Sequence, residues 1–166
     1  MSLARRQRWA AVAIAAAAAF AVAGLGALMT DLGPWYGQLV QPAWKPPDWL
    51  FGPAWTVIFA LTAAAGVLAW EAAPTSATRE WLIGAFALNG FLNVLWSLLF
   101  FRLRRPDWAL AEVGLLWLSI VLLIALAGRQ SRRAGWMLAP YLLWVSFAAA
   151  LNWAVVRLNG PFGGPG

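Results

Sequence analysis

An all-α integral membrane protein, a bundle of five transmembrane helices with a Trp/Pro-rich first connecting loop, is the architecture this sequence predicts. Three observations lead there. First, the 166-residue chain is 63% hydrophobic and 11% charged, against about 45–50% and about 25% for an ordinary globular chain. That excess is too large for one soluble core. Second, the apolar residues fall into runs near the ~20 residues that a helix needs to cross a bilayer. Third, the arginines cluster at the ends of those runs. Arg5, Arg6 and Arg8 precede the first run, Arg102, Arg104 and Arg105 follow the third, and Arg129, Arg132 and Arg133 follow the fourth. Charges that flank spans behave this way. The net charge of +6 is therefore read as span-flanking charge, with no nucleic-acid partner.

Residues 9–30 form the first span, rich in Ala and Gly, which lets helices approach closely. An Arg-rich start before an Ala-rich run also fits a secretory signal, but this run exceeds the usual ~7–15-residue core. Residues 31–52 form the first connector. Pro42, Pro46 and Pro47 oppose a regular helix there, so an extended path with short turns is expected. Its indoles suit the membrane–water boundary. Residues 53–71 form the second span, with Pro53 fitted to a first helical turn. A short loop over 72–79 leads to the third span, residues 80–101. There Asn89, Asn93, Trp96 and Ser97 share one helix face, and a polar stripe in a span faces other helices or a cavity.

A tight turn over 102–107 precedes the fourth span, residues 108–128, which carries Glu112 about one turn in. That acid is a functional candidate by default; it equally fits a side chain that snorkels to the headgroups or bonds a neighbouring helix. A basic turn over 129–133 precedes the fifth span, residues 135–158, with Pro140 inside it. Tyr141, Trp144, Ala148 and Asn152 lie on one face of this helix. Residues 1–159 are read as a single domain and 160–166 as a disordered tail. With five helices, the N-terminal side holds seven basic residues and the other side five, a weak bias toward a cytoplasmic N-terminus.

Much chemistry is excluded outright. The chain has no Cys and no His, which removes disulfides, thiolate or imidazole metal sites and a histidine-based triad. No nucleophile elbow, P-loop or dinucleotide fingerprint is present. Tryptophan is the unusual asset, with 13 copies. Trp9, Trp70, Trp81, Trp108 and Trp136 fall near span ends, where interfacial belts explain them. Trp55, Trp96, Trp117 and Trp144 lie deeper, where helix packing and ligand contact fit equally well. Indole rings stack on flat π systems, so a pocket lined by them suits a flat, apolar ligand. Asn89, Asn93 and Asn152 would then supply orienting polar contacts.

Three blocks of residues carry a resemblance. The first comprises Trp35-Tyr36, Leu39, Pro42, Trp44, Pro46-Pro47, Trp49, Phe51-Gly52-Pro53 and Trp55-Thr56. The second comprises Asn93, Trp96-Ser97 and Phe100-Phe101. The third comprises Pro140-Tyr141, Trp144, Phe147-Ala148 and Leu151-Asn152, ending near Arg157 and Asn159. In this order the chain resembles the TspO/MBR family, the tryptophan-rich sensory proteins related to the mitochondrial translocator protein, over about Thr30 to Asn159.

The resemblance implies a five-helix bundle in a bacterial membrane, with the connector folded over a ligand cavity and a homodimer as the assembly. It implies tetrapyrroles such as protoporphyrin IX as ligands, or another flat apolar molecule, with no obligatory cofactor. Tyr36, Trp55, Asn93, Trp144 and Ala148 match cavity positions of the family; Trp96 and Asn152 complete the expected ligand-binding set. Trp55 and Trp144 match the tryptophans implicated in light-dependent porphyrin breakdown by some members. Three functions follow: a receptor with the ligand stacked between Trp55 and Trp144, a light-dependent porphyrin-degrading enzyme, or a transporter of porphyrin, lipid or sterol with Asn89, Asn93 and Glu112 along its route. Two departures stand out. Gln41 replaces the lysine usual before Pro42. The sterol motif of animal members is incomplete, because Trp153 stands between Leu151 and Arg157 where a tyrosine belongs; this argues against sterol binding.

Overall fold

The chain is described by a computed structural model over residues 3–162. Seven α-helices and no strand occur among the described residues: α1 (Leu3–Met29), α2 (Pro34–Gln38), α3 (Phe51–Ala72), α4 (Ser76–Ser97), α5 (Pro106–Gln130), α6 (Arg132–Met137) and α7 (Ala139–Asn159). Five segments are long and apolar enough to cross a membrane: Arg5–Met29, Asp48–Ala72, Ser76–Arg102, Pro106–Gln130 and Arg132–Asn159. The expected tail lies mostly in residues 163–166, outside the described residues.

The segment ends differ from the expected ones for local reasons. Pro34 sits in the first turn of α2, where its missing N–H costs nothing. The connector is thus not wholly extended. It holds this five-residue helix and a 3₁₀ turn at Asp48–Leu50, and only the stretch between them follows the extended path its prolines impose. The loop after α3 is shorter than 72–79, because the Thr75 hydroxyl accepts from the Thr78 backbone N–H at 3.1 Å and starts α4 early. The third span ends in a π-helical turn, Leu98–Arg102. Arg104 then takes a left-handed conformation with φ 54°, and Pro106 opens α5, so the turn over 102–107 is shorter than expected. The fifth span is not one helix. It breaks at Leu138, two residues before Pro140. Proline removes a backbone donor and disfavours helical geometry in the residue before it.

α5 is the hub, packed against α3, α4, α6 and α7, while α1 lies outside against α3 and α4. Arg8 Nε meets Glu71 Oε1 at 3.1 Å, which ties the start of α1 to the end of α3. At that arginine-rich end the core is built of small residues, Ala65, Ala69, Ala73, Ala127 and Ala134, with Leu82, Leu123 and Leu138. Small side chains let backbones approach in a membrane bundle. A Cβ on Gly135 would stand 3.0 Å from the Gly128 Cα, so only glycine fits this α5–α6 crossing comfortably. The middle is filled by Ile58, Leu92, Val113, Leu116, Ile120, Tyr141 and Val145. The connector end is closed by Phe100, Ala109 and Val155 beneath Trp35, Tyr36 and Leu39.

Candidate functional site

The connector is held over its end of the bundle by rings and by amides. Trp35 meets Phe100 edge-on at 6.3 Å and Tyr36 meets Phe101 at 5.7 Å. Farther along, Trp44 meets Phe147 at 5.8 Å and Phe51 meets Trp144 at 5.5 Å, both edge-on. Each such pair contributes about 0.5–1.5 kcal/mol beyond area burial. The Asn159 amide at the end of α7 bonds the connector backbone twice. The Val40 N–H donates to Asn159 Oδ1 at 2.7 Å, and Asn159 Nδ2 donates to the Val40 carbonyl at 2.9 Å.

Within the connector, Tyr36 Oη donates to Asp48 Oδ1 at 3.2 Å. Lys45 pairs with the same carboxylate and lies 5.4 Å from the centre of the Tyr36 ring. Burial raises the Tyr36 phenol above its ordinary 10.0, with Lys45 pulling the other way. Burial depresses the Lys45 ammonium, but bonds to Asp48 and Tyr36 outweigh it and leave the group above its ordinary 10.5.

Under this cover lies an aromatic cluster. Trp55, in the second turn of α3, stacks on Phe59 at 5.2 Å and meets Tyr141 edge-on at 6.0 Å. Trp55 and Trp144 meet edge-to-face, with centroids 6.4 Å apart and planes at 83°. They therefore touch each other, and a flat molecule is not sandwiched between them in this arrangement. The expected pose, with a ligand stacked between Trp55 and Trp144, would need the two rings to part. Trp144 instead forms one wall of an open groove of about 540 Å³ between α3 and α7, lined by Leu50, Pro53, Ala54, Val57, Ile58, Pro140, Leu143, Trp144 and Phe147. Across it, α3 and α7 meet through the rings of Phe51, Trp55, Tyr141 and Trp144. Its walls are apolar, and Val57 and Leu143 are 58% and 71% exposed.

The expected polar contacts are committed elsewhere. Asn93 Nδ2 donates to Tyr141 Oη at 3.1 Å. Asn152, 1% exposed, donates to the Pro106 carbonyl at 2.9 Å and accepts from Trp96 Nε1 at 3.2 Å. Asn89 donates to Ser119 Oγ at 2.8 Å. These amides join α4, α5 and α7, the use that membrane bundles make of polar side chains. Of the expected set, the groove includes Trp144. Trp55 stands against Trp144, and Ala148 is half-buried one turn along α7. Tyr36 belongs to the connector latch, and Trp96 stacks on Phe100 at 5.2 Å.

Leu50, Phe51 and Phe147 contribute to the site although the spacing argument passed over them; Phe51 and Phe147 stood in the resemblance blocks, and nothing pointed to Leu50. Of the deeper tryptophans, Trp117 is a surface residue whose indole donates to Ser146 Oγ at 2.9 Å. Glu112 neither snorkels nor bonds a helix. It is 6% exposed, and neither carboxyl oxygen has a hydrogen-bond partner.

Fold and site together define a polytopic α-helical membrane protein with an aromatic connector latched over one end of the bundle. Residues 11–158 match the profile of the TspO/MBR family, and the chain belongs to that family. It is 42% identical to the tryptophan-rich protein TspO of Chlorobaculum tepidum, over 75% of this chain and 79% of that one. It is 34% identical to the tryptophan-rich sensory protein of Cereibacter sphaeroides, over 91% and 92%. Against the translocator protein of Sus scrofa the identity is 35%, over 75% of each.

Proposed function

We propose that this protein is a membrane receptor for a flat tetrapyrrole such as protoporphyrin IX, which lies against Trp144 beneath the connector. The observation that carries the reading is the apolar groove of about 540 Å³ with Trp144 on its wall. Its size falls within the ~300–1,000 Å³ of small-molecule sites. An indole face and aliphatic walls favour a broad π system. The carboxylates of the ligand would remain at the connector end, where Lys45 is the nearest cation in sequence to the groove residue Leu50. The name of the Cereibacter sphaeroides relative, a sensory protein, agrees with a receptor. A homodimer in contact with membrane lipid belongs to the same reading. Titrating protoporphyrin into the purified protein in the dark, with tryptophan emission as the readout, tests it. Saturable quenching at one ligand per chain is expected; a linear, non-saturating response refutes a defined site.

One contact favours a second reading. Trp55 lies against both Trp144 and Tyr141, so an electron taken from Trp144 by a photoexcited porphyrin could be replaced from its neighbours. The porphyrin radical anion would add O2 at a ring carbon to give a peroxyl radical anion, leaving the electron hole on Trp55 or Tyr141, so that each porphyrin bleached oxidises one protein ring. Illumination of the complex in air should bleach the ligand faster than in detergent alone; equal rates leave binding as the function.

A further inference from the structure

The two ends of the bundle differ in how their charges are used. At the connector end, Lys45 pairs with Asp48 and Arg105 with Asp107, while Arg104 and Arg157 lie over Trp35 and Trp153. The opposite end carries Arg5, Arg6, Arg8, Arg79, Arg129, Arg132 and Arg133, with Glu71 and Glu80 as its acidic residues. Arg8 takes Glu71, and Arg79 lies over Trp70 at 4.6 Å. Arg129, Arg132 and Arg133 are exposed, and no carboxylate pairs with them among the described residues.

Between the start of α4 and the end of α5 is a second groove of about 190 Å³, lined by Thr78, Trp81, Leu82, Leu126 and Gln130, and the three arginines lie within three residues of Gln130 in sequence. Its polarity is ordered along the bundle. Thr78 and Gln130 lie at the outer rim; Leu82 and Leu126 lie one turn deeper in their helices. Trp81, 74% exposed, stands between as an interfacial ring does. Arg129 is adjacent to Gln130 and one turn from Leu126 along α5. A cationic rim, an amide, an indole and then leucines are the mirror image of a phospholipid read from phosphate to acyl chain. Basic pockets between membrane helices recognise anionic headgroups in this way.

We propose that this groove docks an anionic phospholipid of the surrounding leaflet, with its phosphodiester among Arg129, Arg132 and Arg133 and one acyl chain along Trp81 and Leu126. The partner is a lipid rather than a free anion, because only a lipid fills the apolar floor as well as the charged rim. The assignment also directs the α1-start end of the bundle toward the leaflet richer in anionic lipid. Glu80, next to Trp81 in sequence, is the acidic residue that opposes the docking and limits its strength.

The test measures the association of spin-labelled phosphatidylglycerol and phosphatidylcholine with the purified protein in mixed-lipid vesicles. The intact protein should favour phosphatidylglycerol about tenfold at low salt, as expected of a few arginines near an anionic surface. The preference should shrink at ~1 M salt, where the screening length is about 3 Å. The Arg129→Gln, Arg132→Gln, Arg133→Gln triple variant should lose most of it. An Arg102→Gln, Arg104→Gln variant at the connector end should keep it. Equal association of the two lipids overturns the assignment, as does a preference that the triple variant retains or that the control variant loses equally. Release of labelled lipid by an equal concentration of inorganic phosphate would also overturn it, since the rim would then hold the anion without the floor.

Discussion

Asn152 illustrates how residue spacing and residue role part company. Its helical phase with Tyr141, Trp144 and Ala148 was visible in the sequence, but its partners were not. The Pro106 carbonyl and the Trp96 indole come from other helices, 46 and 56 residues away. Phase assigns a face, and the neighbouring helix decides what that face meets. Replacing Asn152 with Leu leaves both partners unpaired in an apolar interior. A loss of about 1–3 kcal/mol is expected, read as a lower unfolding midpoint in detergent. Glu112 points the other way. Both of its oxygens are buried with no hydrogen-bond partner from the chain, and burying an unpaired polar group costs free energy. Glu112→Met, which keeps volume and removes the unmet demand, should raise the thermal midpoint. A marked drop would mean that the acid has a stabilising partner in the folded protein.

At the scale of elements, five spans were legible because hydropathy and length are properties of a segment alone. Their ends were not, because capping is decided by single residues. Thr75 and Ser131 accept from backbone N–H groups three residues on, and Pro34 and Pro106 open helices inside stretches read as connector and turn. The break at Leu138 follows from Pro140, and the α5–α6 crossing follows from Gly128 and Gly135. A valine at Gly135 would press its side chain into the Gly128 backbone. Overpacking of this kind costs about 1–3 kcal/mol, so Gly135→Val should unfold at a lower temperature than the intact protein. The connector carries its own pH dependence. Tyr36 and Lys45 are both raised above their ordinary 10.0 and 10.5, so both groups are held in their protonated forms. Their contribution is complete below those ordinary values and is lost as pH rises through the higher folded ones. Trypsin or chymotrypsin cleavage within the connector should be flat across neutral pH after correction for protease activity. It should accelerate only above about pH 10.

For the whole molecule, the sequence conveyed the membrane bundle, the aromatic connector and the places of Trp55 and Trp144 in the second and fifth spans. It did not convey that these two rings touch, because that depends on how α3 and α7 pack against each other, which hydropathy and helical phase do not specify. The groove between the two helices has Trp144 on its wall. The central claim is that a flat tetrapyrrole binds against Trp144 with Trp55 supporting it from behind. Protoporphyrin titration in the dark, with the intact protein and a Trp55→Phe, Trp144→Phe double variant compared by ligand absorbance, tests that claim most directly. Loss of one to two stacking contacts of about 1 kcal/mol each predicts roughly five- to thirtyfold weaker binding in the variant. The same dissociation constant for both proteins would contradict it.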